Sequence, residues 1–204
     1  MRRALARRLE RVEGFRDPSA ALEQYPTPAE LAAHVVHLAD VQDDLGGTVV
    51  DLGTGTGMLA LGAALREPGR VVGLDVDADA LAVARENEAR VAPATSVQWV
   101  RGDAAGRPPL RCSDATVLMN PPFGAQRGQR HADRDFLATA SEVSRVSYSV
   151  HNSGSKEFVE SFAADQGGEV THAFAAEFEV EKQFEFHTRE SETLDVEVFR
   201  IEWA

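Results

Sequence analysis

The chain has 204 residues, with 33 acidic against 21 basic side chains and a formal net charge of −12 at neutral pH. That length suits one domain with an ample core, and 43% hydrophobic residues fit a globular protein. No apolar run approaches the roughly 20 residues that cross a bilayer, and a single cysteine, Cys112, excludes an internal disulfide and a thiolate zinc site.

Met1 to Val12 places Leu5, Leu9 and Val12 at helical spacing with arginines between them. An amphipathic helix with a basic face is expected, either docked on the body or reaching out for a polyanion. It has no hydrophobic signal core, so a cytoplasmic protein is expected. Leu22-Glu23-Gln24-Tyr25-Pro26-Thr27 then leads into a helix from Pro28 to Val41. His34 and His37 stand three apart there and read as surface residues. The six histidines nowhere adopt ligand spacing, so no metal is expected.

Val49-Val50-Asp51-Leu52 is an apolar strand running into Gly53-Thr54-Gly55-Thr56-Gly57 and a helix from Met58 to Arg66. Glycine lets a backbone turn sharply and approach a ligand closely. The dinucleotide fingerprint G-x-G-x-x-G would need glycine where Met58 stands. G-x-G-x-G preceded by Asp51 is instead the pattern of S-adenosylmethionine loops. That ligand has no pyrophosphate to seat on a helix; its amino-acid tail and sulfonium suit a glycine loop beside carboxylates. The second strand, Arg70 to Asp75, ends in an acid about twenty residues after the loop, where a carboxylate holds two ribose hydroxyls. Asp77 is expected to cap the next helix, with Leu81, Ala84 and Ala92 on its apolar side. The third strand, Val97 to Arg101, is followed by Asp103, placed to accept from an adenine amino group.

Ala115 to Met119 reads as a buried parallel strand, and Asn120-Pro121-Pro122-Phe123 follows at its carboxyl end, where open α/β sheets bind ligands. Asn120 offers an acceptor and a donor. Pro121 keeps Asn120 out of the helical region, so a backbone carbonyl can point outward. Phe123 offers a flat face for a planar ring. Together they grip a planar group that carries an exocyclic amine. Asn-Pro alone also starts ordinary turns; the acids at the three preceding strand ends favour the functional reading. Arg127, Arg130, His131 and Arg134 follow directly, either as contacts to a polyanion or as a solvated loop. A fifth strand, Val146 to Val150, precedes a helix from Lys156 to Asp165, capped by Ser153 or Ser155. Glu169–Glu181 and Leu194–Trp203 then alternate with a period of two and form an antiparallel pair.

These motifs together resemble the class I methyltransferases, and within them the methyltransferase-like protein 5 family, over nearly the whole chain. Leu22 to Thr27 matches that family's first motif, Asp51 to Gly57 its cofactor loop and Asn120 to Gly124 its catalytic motif. Arg145 to His151 is similar to its fifth strand. Phe184-Glu185-Phe186-His187 with Leu194 to Val198 is similar to its C-terminal hairpin. The resemblance implies an α/β, Rossmann-like fold: a seven-stranded, mostly parallel sheet with a C-terminal antiparallel hairpin and helices on both faces. It implies one domain over residues 1–204, in which 1–27 form an N-terminal helix and a segment covering the cofactor. The implied activity is transfer of the methyl group of S-adenosylmethionine to N6 of an adenine in small-subunit ribosomal RNA. Cofactor contacts are implied for Gln24, Tyr25, Thr27, Asp51, Gly53, Thr56, Gly57, Met58, Asp75, Asp103 and Ala104. Asn120, Pro121, Pro122 and Phe123 would be catalytic, and Phe186 and His187 would join the arginine loop in holding RNA.

Two stretches depart from the family. The loop after the catalytic motif is not Lys- and Gly-rich, and Thr188-Arg189-Glu190-Ser191-Glu192 replaces a basic run. Only Lys156 and Lys182 are lysines, and an acid-rich, lysine-poor chain points to a halophilic, haloarchaeal member of the family. Molar salt shortens the screening length to about 3 Å, so self-repulsion matters little there. The family also works with a small zinc-binding activator protein that pairs by strand addition. The edge strand 96–100, with Trp99 as anchor, is the expected dock. Glutamine N5-methylation of a translation factor remains a rival, because an amide suits an Asn-Pro-Pro turn, and so does a non-catalytic cofactor- or RNA-binding scaffold.

Overall fold

The computed structural model describes residues 1–106, 108–122, 132–181 and 191–204, apart from the side chains of residues 20, 178–181 and 191–194. Helices Arg2–Leu9 (α1) and Ala29–Val41 (α2) precede strand Thr48–Leu52 (β1). Then come Met58–Ala64 (α3), Arg70–Asp75 (β2), Ala78–Val91 (α4), Val97–Arg101 (β3) and Ala115–Met119 (β4). Ala132–Val143 (α5), Ser144–Asn152 (β5), Lys156–Asp165 (α6), Glu169–Glu181 (β6) and Ser191–Glu202 (β7) complete the chain. The strands form one sheet in the order β3-β2-β1-β4-β5-β7-β6. β1 to β5 run parallel, and β7 is inserted antiparallel between β5 and β6.

Alternation along the strands explains the layers. Val49, Val71, Leu118, Val146 and Tyr148 point into a core shared with α1, α2 and α3. Val50, Val72, Val117, Met119 and Phe199 point into a second core under α5 and α6. β4 is buried at every position, as a parallel strand covered on both faces must be. The strand order reverses between β1 and β4, and their register pairs Leu52 with Met119. The glycine loop and the Asn120 turn therefore leave the sheet side by side, at the switch point where such sheets bind ligands.

Near the other end of the sheet a polar clasp joins four segments. Asp44, just before β1, accepts from the Tyr148 hydroxyl at 2.7 Å and from Arg200 Nε at 2.8 Å through Oδ2. Its Oδ1 accepts from Arg200 Nη2 at 3.2 Å. Arg200 also donates to Thr171 at 2.7 Å and to Glu202 at 2.6 Å. The clasp locks β7 onto β5 and onto the turn that enters β1.

Several boundaries differ from the sequence expectation. α3 ends at Ala64 with Leu65 as its cap, two residues before Arg66. Ala92 is exposed at φ 48° and terminates α4 instead of lining its apolar side. Ser155 holds the N-cap position of α6 without a side-chain cap bond. β5 is longer than Val146 to Val150, because its pairing with β7 extends it to Asn152.

The edge position of β3 is as expected, but Trp99 is not free to anchor a partner. It pairs in register with Gly73, and a Cβ there would sit 2.6 Å from the indole. The missing side chain lets the ring fold inward beneath α4, where Nε1 donates to Glu88 at 2.7 Å.

Candidate active site

The loop after β1 is held from below by a buried acid. Asp51 Oδ2 accepts from the Thr54 hydroxyl at 2.6 Å and from the Ala60 amide at 2.8 Å, tying the loop to the first turn of α3. Burial pushes its carboxyl up to about 7, against the pull of those two hydrogen bonds. Two glycines of the loop have no alternative. Gly53 at φ +68° and Gly55 at φ +54° lie in the left-handed region. A Cβ would come within 2.8 Å of the Phe136 ring at Gly53 and within 2.9 Å of the Phe15 ring at Gly55. The backbone thus forms the floor of a cavity of about 680 Å³, inside the range of about 300–1,000 Å³ typical of small-molecule sites.

Asp75 closes one wall. Its Oδ2 accepts from the Gly55 amide at 2.7 Å and its Oδ1 from the Asp77 amide at 2.9 Å, which leaves lone pairs on both oxygens for ligand hydroxyls. Burial raises its carboxyl above the usual range. Asp77 caps α4 through the Asp79 amide at 2.9 Å, as the sequence led us to expect. Its other oxygen accepts from Gln24 Nε2 at 2.6 Å, while Gln24 Oε1 accepts from the Ser19 amide at 2.8 Å. Gln24 thus stitches the N-terminal segment over the cavity.

The opposite wall is the turn after β4. Asn120 Nδ2 donates to the Thr27 hydroxyl at 3.0 Å. Asn120 Oδ1 is buried and has no partner among the described residues. Buried acceptors in folded proteins are nearly always satisfied, so this oxygen is set for a donor that a ligand brings.

Among the expected cofactor residues, Gln24, Tyr25, Thr27, Gly53, Thr56, Met58, Asp75, Asp103 and Ala104 line the cavity, and so do Asn120 and Pro122. Asp51, Gly57 and Pro121 do not; Asp51 acts on the loop from beneath. Asp103 Oδ1 accepts from the Ala105 amide at 2.8 Å. Arg134, on the first turn of α5, lies over the Phe162 ring at 5.3 Å. Phe123, Arg127, Arg130, His131, Phe186 and His187 lie outside the described residues.

Sequence reasoning missed Phe15, Phe136 and Asp135, which also line the cavity. It missed Asn87 as well, wholly buried, which donates to the carbonyls of Thr56 at 3.0 Å and Glu13 at 2.9 Å. A polar residue on the inward face of α4 was its one local signal.

The fold and this site define a class I methyltransferase with S-adenosylmethionine as its cofactor. The residues fit that ligand: a glycine floor that a Cβ would fill, an acid with free lone pairs for ribose hydroxyls, and an unsatisfied acceptor at the reacting end. The family model for the methyltransferase small domain matches residues 32–147. The chain is 32% identical to the rRNA N(6)-adenosine-methyltransferase Mettl5 of Drosophila melanogaster, over 98% of this chain and 95% of that one. It is 33% identical to the Danio rerio METTL5 enzyme of the same description, over 95% and 94%. The crystal structure of a proposed RNA methyltransferase from Pyrococcus horikoshii superposes with a TM-score of 0.87 at 36% identity, covering 100% of this chain and 98% of that one. The chain belongs to the METTL5 family of rRNA N(6)-adenosine-methyltransferases.

Proposed function

We propose that this chain methylates the N6 amino group of an adenine in ribosomal RNA, within the small subunit, at the cavity between the β1 loop and the β4 turn. The observation that carries this reading is the buried Asn120 Oδ1, without a partner among the described residues. Asp75 takes the ribose hydroxyls of S-adenosylmethionine, and Asp103 and Ala104 flank its adenine. Gly53, Thr56, Gly57 and Met58 form the loop beneath it, and Gln24, Tyr25 and Thr27 close over it. When bound, the cofactor supplies a methyl group activated on a positively charged sulfur.

The target base leaves its stack, as bases modified by enzymes must, and rests on Phe123. Asn120 Oδ1 accepts one hydrogen of its amino group. That grip turns the nitrogen lone pair toward the methyl group, and alignment supplies most of the rate. The proton departs after transfer, so no side chain must act as a base beforehand. Residues 1–27 serve as helix and cover within one domain, and the activity belongs in the cytoplasm with ribosome assembly. A zinc-binding activator pairs with the β3 edge.

Asn120→Ala should keep cofactor affinity and lose at least ~100-fold in single-turnover transfer to ribosomal RNA, the scale for an oriented charge-stabilising group. Near-normal turnover would remove Asn120 from the mechanism. A glutamine amide fits the same acceptor, so transfer to a release factor and not to RNA would establish the second reading. No transfer to either would leave a scaffold.

A further inference from the structure

We infer that the outer face of α1 is a phosphate-binding surface that holds the substrate RNA beyond the catalytic cavity; this rests on the ribosomal RNA reading above. α1 is docked: Leu5, Ala6 and Leu9 are buried against α2 and α3. Arg3 and Arg7 lie four apart on its exposed side, and Arg11 extends the same row into the following turn. Side chains at that spacing fall on one face of a helix.

In a chain of net charge −12 these arginines have every chance of an acidic neighbour. None forms an ion pair among the described residues, whereas Arg16, Arg66, Arg90, Arg145 and Arg200 all do. Glu10 is the one acid interrupting the row. Arg8, beside them, is committed elsewhere, donating to the Val91 carbonyl at 2.9 Å. Three guanidinium groups without an ion pair among the described residues, in a chain of net negative charge, are complementary to a row of phosphates.

The path from this row to the cavity is short and fixed. Glu13 is clamped by Asn87, which accepts from its amide at 2.9 Å and donates to its carbonyl at 2.9 Å. Phe15 then packs over Gly55 in the cavity wall. Phe15 lies four positions beyond Arg11, a reach of at most about 14 Å. RNA whose adenine occupies the cavity can therefore lie along α1.

The test compares wild type with the triple variant Arg3→Gln, Arg7→Gln, Arg11→Gln, and with the triple Arg→Lys variant as a charge-preserving control. Binding of a small-subunit rRNA fragment is titrated over a KCl series in which circular dichroism stays native. Single-turnover methylation of a short adenine-containing oligonucleotide is measured alongside. The Gln variant should lower the slope of log affinity against log salt by about 2–3, leave the short substrate unaffected, and be rescued by lysine. Wild-type affinity and slope in the Gln variant would overturn the inference, as would equal losses on the short oligonucleotide. Unchanged RNA binding with lost adsorption to phosphatidylglycerol vesicles would reassign the row to a lipid surface. If wild type methylates no RNA yet the slope falls in the Gln variant, the proposed reaction fails while the RNA surface stands.

Discussion

Asn120 and Asp51 show how one residue type can be read correctly while its surroundings decide its role. The Asn-Pro-Pro run points to an amine grip from sequence alone; only the structure shows that Thr27 holds the amide nitrogen and leaves the oxygen free. Asp51 reads as a cofactor ligand; in the structure its Oδ2 organises the loop, while its Oδ1 is buried without a partner among the described residues. Its burial has a counterpart in His151, 2% exposed and pressed by burial down to about 4. Their effects on stability run in opposite directions. Asp51, raised from 3.8 to about 7, binds a proton in the folded state first, so its contribution is present below pH 3.8 and lost as pH rises through 7. His151, lowered from 6.5, takes its proton first in the unfolded chain, so stability falls as pH drops from 6.5 toward 4. Each is worth about 3–4 kcal/mol over its window. In urea titrations between pH 4 and 7, stability of Asp51→Asn should therefore rise with pH relative to wild type. His151→Gln should fall relative to wild type over the same range. Difference curves flat in pH would mean that neither group titrates as its burial requires.

At the scale of elements, most strands and helices followed from apolar periodicity to within a residue or two, but β7 begins at Ser191, three residues before the expected Leu194, and α1 ends at Leu9, three before Val12. β2, β3, β4 and α6 match their expected bounds. What periodicity could not reveal was how β7 is held, since Asp44 and Arg200 are 156 positions apart. Burial works against both charges, but their mutual bonds keep the Asp44 carboxyl below its usual range and the Arg200 guanidinium above its own. Breaking one partner of such a pair leaves an uncompensated charge. Asp44→Ala should cost about 3–5 kcal/mol in chemical denaturation, and Asp44→Leu with Arg200→Met should recover much of it. A single variant within about 1 kcal/mol of wild type, below that expected cost, would show the clasp to be dispensable.

On the scale of the whole molecule, the sheet has an open edge at β3, with Gln98 exposed and no Lys or Pro to blunt it. Trp99 cannot report on a partner there, because replacing it would empty the space over Gly73. Gln98→Lys tests the edge without touching the core. Co-expressed with the zinc-binding activator, wild type should elute as a heterodimer on size exclusion and Gln98→Lys should release the subunit. A wild-type chain that stays monomeric and fully active alone would leave the edge without that partner.

By itself, the sequence determined the elements, the cofactor loop, the acid of the second strand and the reacting turn. These are local: glycine spacing, proline's fixed φ and apolar periods act over a few residues. Tertiary structure alone decided which acid faces the cavity, how Phe15 and Phe136 complete its walls, where Trp99 turns and what holds Arg200. Each of those depends on side chains brought together from distant positions, and packing, not propensity, selects among the orientations a single residue allows.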